Sequence, residues 1–205
     1  MKFPIVASLI LFVVFLGFRL FVIDKLDRNN SSFFLKRESA ANNTRKRALE
    51  DLLYIQIPIN QLPTNIFGHN EQIRECIEKA LYLRSSKIVN LGNLTNTELK
   101  LRYGAANLKT LMEYDQNFTS LICILEKWGQ LLYAENLTEE ATHVLEYAVS
   151  IQSDIAGTYL LLSKIYQQQG TDEKAQALKL AVNALPASSC QRISKQLASV
   201  HSLEI

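Results

Sequence analysis

The sequence predicts an all-α protein in which an apolar N-terminal helix precedes an array of paired helices. Bulky apolar residues recur at helical spacing along most of the chain. Leu, Ala, Glu, Lys and Gln, which favour helices, dominate the second half. Seven glycines and four prolines among 205 residues are few for a β-rich protein with many tight turns. The length suits one ordinary domain with an appendage.

Residues 1–23 predict a transmembrane signal anchor. Within them, residues 3–23 read FPIVASLILFVVFLGFRLFVI, and about 20 helical residues rising about 1.5 Å each span the roughly 30 Å of a hydrocarbon core. The single charge, Arg19, lies near the end of the run, from which its long side chain reaches the interface. A cleaved secretory signal needs a small-x-small site that the following residues do not offer. That alternative and a buried core helix remain open.

The distribution of Lys and Arg around this run favours a single-pass membrane protein whose C-terminal domain is cytoplasmic. Lys2 and the amino group precede the run, whereas Lys25, Arg28, Lys36 and Arg37 follow it. The translocated side of a membrane protein normally carries fewer such charges. Many short anchors that begin Met-Lys leave their domains outside, so the opposite orientation also remains open.

Residues 24–47 predict a polar, basic tether. Asn, Ser and basic residues dominate this segment, and its apolar periodicity is weak. The basic pairs and triplets at 36–37 and 45–47 would attract anionic lipid heads, and Phe33-Phe34 would dip into the interface. A simple solvated linker is the alternative.

Residues 48–121 are predicted to form the helical N-terminal part of the domain. A short helix is expected at 48–55, and two prolines exclude a long helix over 56–68. Asn70 is the expected N-cap of the next helix. The apolar stripe of that helix comprises Ile73, Ile77, Ala80, Leu81 and Ile88.

Two further signals extend the helical reading toward the C-terminus. Thr95 and Glu98 fit a capping box, which predicts a helix start. A helical pattern then runs from Ala105 to about Glu135, and a break is expected at 115–118.

Little in the sequence points to catalysis, nucleic-acid binding, small-molecule substrates or cofactors. The net charge is only +2, and phosphate-binding loops and protease or hydrolase motifs are lacking. The three cysteines, Cys76, Cys123 and Cys190, are too far apart for a zinc or disulfide pattern and are predicted to be buried. One helix carries Glu139, His143 and Glu146 on one face, which favours an exposed polar surface over a weak metal or acid–base site.

Two segments in the second half repeat a pattern of large and small residues. LEKWGQLL starts at Leu125, and YLLLSKIY starts 34 residues later at Tyr159. Both have the form large-x-x-large-small-x-x-large, and a small residue follows in each at the same offset. The matched pairs are Leu125 with Tyr159, Trp128 with Leu162, Gly129 with Ser163, Leu132 with Tyr166, and Ala141 with Ala175.

This pattern resembles the tetratricopeptide (TPR) repeat, whose period is 34 residues and whose signature is W-x2-L-G-x2-Y followed by A-x3-F and P. The resemblance covers residues 122–187 as two degenerate repeats and implies a TPR-like α-solenoid of helical hairpins. It also implies that the small residues permit close helix crossings. Leu145 and Lys179 stand where the family has its second aromatic residue, and Leu178 or Leu180 would replace the latter. Chance spacing in an irregular helical bundle is the alternative.

The turns and the C-terminal segment fit the same arrangement. Asn136 and Thr138 are expected to end one helix and cap the next, as are Gly170 in a left-handed conformation and Thr171 or Asp172. Residues 188–205 are predicted to form the capping helix and tail, because two repeats alone bury too little surface. That helix would begin at a capping box, Ser188-x-x-Gln191, and bury Ile193, Leu197 and Val200.

The resemblance implies a function, because proteins of this family generally bind peptides in the groove lined by the first helix of each repeat. The residues at those positions are Glu126, Gln130, Tyr133, Leu160, Lys164 and Gln167. The sequence thus predicts a non-catalytic, membrane-anchored adaptor or scaffold for a protein or peptide partner. A structural subunit that packs permanently against its partner is the alternative, and an enzyme ranks third.

Overall fold

The computed structural model describes residues 12, 15, 16, 19, 32–66 and 70–201. The described residues form α-helices, two short 3-10 turns and irregular connections, with no strand among them, which confirms the all-α class. Helices α1 to α8 span, in order, residues 32–42, Glu71–Leu83, Asn96–Tyr103, Leu108–Ala134, Thr138–Ser150, Ala156–Gln169, Asp172–Asn183 and Ala187–His201.

The predicted anchor, residues 3–23, lies almost wholly outside the described residues. Its four described members, Phe12, Phe15, Leu16 and Arg19, are helical, and the three apolar side chains are exposed. Among the helices that the structure describes, none combines the length and apolarity needed to cross a bilayer.

The chain folds into two compact units, and the first combines residues 1–48 with residues 95–108. In its described part α1 is fixed to α3 by polar contacts. Lys100 donates hydrogen bonds to Glu38 and Asn42, and the Thr97 hydroxyl donates to Glu38 over 2.7 Å. Residues 32–42, which the sequence predicts as part of an irregular tether, are therefore an ordered helix.

A turn at Gly104 completes the first unit. Gly104 has φ +92°, and a Cβ there would collide with the backbone carbonyl of Arg45, so both the conformation and the space require glycine. The buried amide of Asn107 donates to the carbonyls of Arg47 and Tyr103, over 2.7 and 2.8 Å. These bonds hold the segment after α1 against the end of α3.

The second unit comprises residues 49–94 and 109–205 and contains α2 and α4 to α8. Its core runs through the predicted repeat. All six large residues of the two matched segments are buried: Leu125, Trp128, Leu132, Tyr159, Leu162 and Tyr166. Of the small residues, Gly129 and Ala141 are buried, and Ser163 and Ala175 are half-buried.

The 34-residue period also governs where the helices of this unit begin and end. Helix α5 begins at Thr138 and α7 at Asp172, each following a left-handed residue, Asn136 at φ 62° or Gly170 at φ 64°. The same backbone bond closes both helix ends, since the N–H groups of Leu137 and Thr171 reach back to the carbonyls of Leu132 and Tyr166. The local geometry therefore repeats even where the residues differ.

The side-chain caps predicted at these turns are not formed. Thr138 is the first residue of α5 and not its N-cap, which is Leu137. Thr171 is the N-cap of α7, but its hydroxyl donates to the carbonyl of Tyr166 over 3.3 Å in place of capping α7.

The closest crossing in the first hairpin lies between Gly129 of α4 and Leu145 of α5. A Cβ at Gly129 would lie 2.5 Å from Leu145 Cδ2 and 2.6 Å from Leu145 Cγ. Both residues are buried. The leucine at the family's second aromatic position thus occupies the space that the missing side chain leaves free.

Several local predictions for residues 48–121 are confirmed. Asn70 accepts a hydrogen bond from the backbone N–H of Gln72 over 2.8 Å, as an N-cap should. Thr95 and Glu98 form the reciprocal capping box at the start of α3. In the predicted stripe of α2, Ile73, Ile77 and Ala80 are buried, whereas Leu81 is exposed.

Two other predictions for this region are wrong. Residues 48–55 form a turn and an extended segment, in which Ile55 N–H bonds to the Ile88 carbonyl over 2.9 Å. Helix α4 continues unbroken through 115–118, because its polar residues there bind a neighbouring loop and do not end the helix. Asp115 accepts from Leu91 N–H over 3.0 Å, and the Asn117 amide donates to the Lys87 carbonyl over 3.0 Å.

The capping helix and the cysteines depart from prediction in detail. Helix α8 begins at Ala187, so Ser188 lies inside the helix and is not its N-cap. Ile193 is fully buried and Leu197 packs against the core, as predicted. Cys76 is buried and Cys190 half-buried, but Cys123 is exposed on α4, so its predicted burial is wrong.

We predict that Gly129→Ala lowers the free energy of unfolding, although a helical Gly→Ala change normally gains about 1 kcal/mol. Overpacking against Leu145 costs about 1–3 kcal/mol and should outweigh that gain. Urea titration measures the change. In a Leu145→Ala background the same substitution should become stabilising, and a loss that persists there would contradict the crossing.

We predict that Thr158→Val raises the free energy of unfolding by about 1 kcal/mol, since it removes a buried unpaired hydroxyl at almost constant volume. Within the described part of the chain, Thr158 Oγ1 is buried without a hydrogen-bond partner. Thr142→Val is the matched control, because its buried hydroxyl donates to the Thr138 carbonyl over 2.8 Å. The control should be neutral or destabilising, and equal gains from both variants would refute the assignment.

Candidate partner-binding face

The six residues that the resemblance implicates lie on α4 and α6, but they do not form one continuous cluster. Glu126 and Gln130 make one pair with α6, and Tyr133 and Lys164 make another. We call the surface that carries these four residues the α4–α6 face. Leu160 is half-buried, and Gln167 is exposed and lines a different groove.

The first cluster of the face places a carboxylate against a helix backbone. The Gln130 amide donates to Glu126 Oε1, one turn earlier on α4, and the same oxygen lies over Gly157 near the start of α6. A Cβ at Gly157 would collide with this oxygen. Partial burial raises the pKa of Glu126, and the bond from Gln130 offsets only part of that effect.

The second cluster places a cation on an aromatic ring. Lys164 Nζ lies 5.4 Å from the centroid of the Tyr133 ring, within the range of a cation–π contact. The Tyr133 hydroxyl donates to Gln168 Oε1 over 3.1 Å. Tyr133 is thus a half-buried aromatic residue whose orientation is fixed by α6 on both its face and its edge.

Gln167 belongs to a groove of about 910 Å³ between α6, α7 and α8. Ser163 and Lys179 line this groove with it, as do apolar residues of α7 and α8. Lys179 stands where the family has an aromatic residue, and its exposed side chain leaves the groove open. Leu178 takes the buried position in its place, whereas Leu180 is exposed.

Three residues at or beside the face are absent from the binding residues that the sequence predicts: Gly157, Gln168 and Cys123. A glycine inside a helical pattern, away from any turn, signals close approach by a neighbour, so Gly157 was accessible to reasoning of that kind. Gln168 sits in a run of three glutamines, and nothing local distinguishes it from the others. Partial burial of the thiol and the carboxylates of Glu126 and Asp154 raise the pKa of Cys123, which disfavours the reactive thiolate.

Glu146 is directed to a different set of partners from those considered for it with Glu139 and His143. It accepts hydrogen bonds from the Tyr166 hydroxyl and from Lys174 Nζ, both over 2.8 Å. Burial alone raises its pKa, but the bonds from Lys174 and Tyr166 outweigh burial, and the net pKa is lowered. This carboxylate therefore joins α5 to α6 and α7.

No protein-family model matches this chain, and comparisons with curated proteins and with solved structures likewise find no match. The α4–α6 face offers a carboxylate, amides, a phenol ring and an ammonium group. These groups are suited to hydrogen bonds and ion pairs with another polypeptide.

We predict opposite effects of Glu126→Gln and Glu146→Gln on the free energy of unfolding at neutral pH. The raised pKa of Glu126 means that its ionised form opposes folding, so its contribution is lost as pH rises through the folded-state pKa. The lowered pKa of Glu146 means that its ionised form favours folding, and that contribution is lost as pH falls. Glu126→Gln should therefore stabilise and Glu146→Gln destabilise.

Urea titrations between about pH 3 and pH 7 test this pair of effects. Toward the acid end, where carboxylates are protonated in both states, each variant should approach the stability of the native chain. Matching signs at neutral pH, or differences that do not change with pH, would show that the two carboxylates are not in the environments described.

Proposed function

We propose that this protein is a membrane-anchored adaptor whose TPR-like helical hairpins bind a protein or peptide partner through the α4–α6 face, without catalysing a reaction. The observation that carries the proposal is the polar character of this face. A reversible binding surface must remain stable in water when empty, whereas a permanent subunit interface is normally more apolar.

The distribution of exposed apolar residues supports an exchangeable partner over a permanent one. Among the described residues, the large hydrophobic side chains that are exposed fall outside residues 122–134 and 156–169, which build the face. Those in the second unit are Leu53, Leu81, Tyr82, Met112 and Leu180. Tyr133, the aromatic residue of the face, is only partly accessible and suits an anchoring contact within a polar rim.

The two clusters also give the face opposite charges at separate places. Glu126 contributes a carboxylate that is bonded only by an amide in the described structure, and Lys164 contributes an ammonium group. A partner segment with a basic and an acidic residue at matching spacing would complement both. Such complementarity favours specificity more than raw affinity.

The anchor proposed for residues 3–23 adds to affinity by confinement. A single-pass segment would hold the binding face close to other proteins of the same membrane, which raises their effective concentration. The excess of Lys and Arg after the segment supports a cytoplasmic position for the face.

We predict that a photoreactive amino acid at Gln130 crosslinks one discrete partner in intact membranes, whereas the same group at Tyr82 does not. Gln130 lies on the face, and Tyr82 is an equally accessible position on α2, 78% exposed. Lys164→Glu should reduce the crosslinked product by about tenfold, the effect of losing one hot-spot contact.

Lys195→Glu is the matched control, because it makes the same charge change at an exposed residue of α8. Equal yields from Gln130 and Tyr82, or equal losses from the two lysine variants, would refute a role for the face. A product that survives high salt and detergent without exchanging with added partner would favour the permanent structural subunit.

A further inference from the structure

We propose that the first unit docks on an anionic lipid surface, with the apolar tip of α1 inserted at the level of the headgroups. The tip comprises Phe33, Phe34 and Leu35. This inference rests on the proposed anchor, and the experiment below separates the failure of one from the failure of the other.

The tip is exposed because the rest of α1 is committed to α3. Phe33, Phe34 and Leu35 are 69%, 59% and 66% exposed, and they are consecutive, so they cover more than half of the helix circumference. Further along the helix, Glu38 is bonded to Lys100 and Thr97, and Ala41 is fully buried. Turning the tip inward would break these contacts.

The first unit is also strongly basic. Its described residues, 32–48 and 95–108, include seven Lys or Arg and two Glu, a net charge of +5 in a chain whose total is +2. Both glutamates are paired within the unit, Glu38 with Lys100 and Glu98 with Arg37. The other five cations are Lys36, Arg45, Lys46, Arg47 and Arg102.

Chain length keeps this basic, apolar-tipped unit close to the bilayer. Only eight residues, 24–31, join the apolar run to the first described residue of α1. Fully extended they span at most about 28 Å. Aromatic residues are favoured at the membrane interface, and clustered Lys and Arg are attracted to anionic headgroups. The tip and the cations together therefore match a lipid surface better than a second protein.

The test uses the full chain reconstituted in vesicles that contain phosphatidylglycerol and lipids brominated along the acyl chains. Phe33→Trp places a fluorophore at the tip, and bromine quenches tryptophan that enters the bilayer. Ala40→Trp is the matched control, because Ala40 is exposed on the same helix about 10 Å further along its axis. The native chain, whose only tryptophan is the buried Trp128, gives the background.

The expected result for the Phe33→Trp variant is strong quenching by bromines near the headgroups, where interfacial residues sit about 5–10 Å deep. The Ala40→Trp variant should be quenched more weakly. Adding the triple change Lys36→Gln, Arg45→Gln and Lys46→Gln should shift the tip toward water by about fivefold per charge. Replacing phosphatidylglycerol with phosphatidylcholine should act in the same direction.

Alkaline extraction of the same vesicles distinguishes the two failures. A Phe33→Trp chain that resists extraction but shows no quenching above the native background would overturn this inference and leave the anchor in place. A tip that instead crosslinks to a second copy would overturn it as well. Equal quenching with and without anionic lipid would overturn the role of the cations, and a chain that is extracted would overturn both proposals.

Discussion

The crossing of Gly129 and Leu145 is the contact on which the second unit depends. Gly129 brings α4 close enough to α5 for Leu145 to fill the space of the absent side chain. That close approach lets Trp128 and Leu132, on either side of the glycine, become fully buried. The burial of large side chains supplies most of the stabilisation of a helical hairpin, so one missing methyl group sets the geometry for the rest.

The two hairpins share backbone geometry more closely than they share residues. Asn136 and Gly170 adopt the same left-handed conformation 34 residues apart, and asparagine is the residue that best tolerates what glycine adopts freely. Loss of a signature residue is therefore compatible with the turn, provided that its replacement can satisfy the same torsion angles. This explains how a degenerate sequence keeps a regular succession of helix ends.

The fold was predictable where the signal is local and unpredictable where it is long-range. Asn70 and the Thr95–Glu98 box act within one helical turn, and both are found as expected. Asp115 and Asn117 resemble helix-ending residues until the loop that they bind is known. Helix α1 escapes sequence reasoning for the same reason, since Glu38 finds its partner Lys100 62 residues away. On the α4–α6 face, the helix positions followed from the period, but the pairing of Tyr133 with Lys164 and Gln168 depended on how the helices pack.

The replacement of an aromatic residue by Lys179 makes the two hairpins unequal. Helix α5 buries five residues, including Leu145 against Gly129, whereas α7 buries only Leu178 and Val182. The groove between α6, α7 and α8 is the space that a large residue at position 179 would fill. Fewer buried apolar contacts mean a lower free energy of local opening, so the C-terminal pair of helices should open before the first hairpin. Because Tyr133 and Glu126 lie on α4 and Gly157 lies at the opposite end of α6 from the turn to α7, most of the α4–α6 face is supported by the better-packed hairpin. The chain thus combines a firmly packed binding face with a more weakly packed C-terminal end.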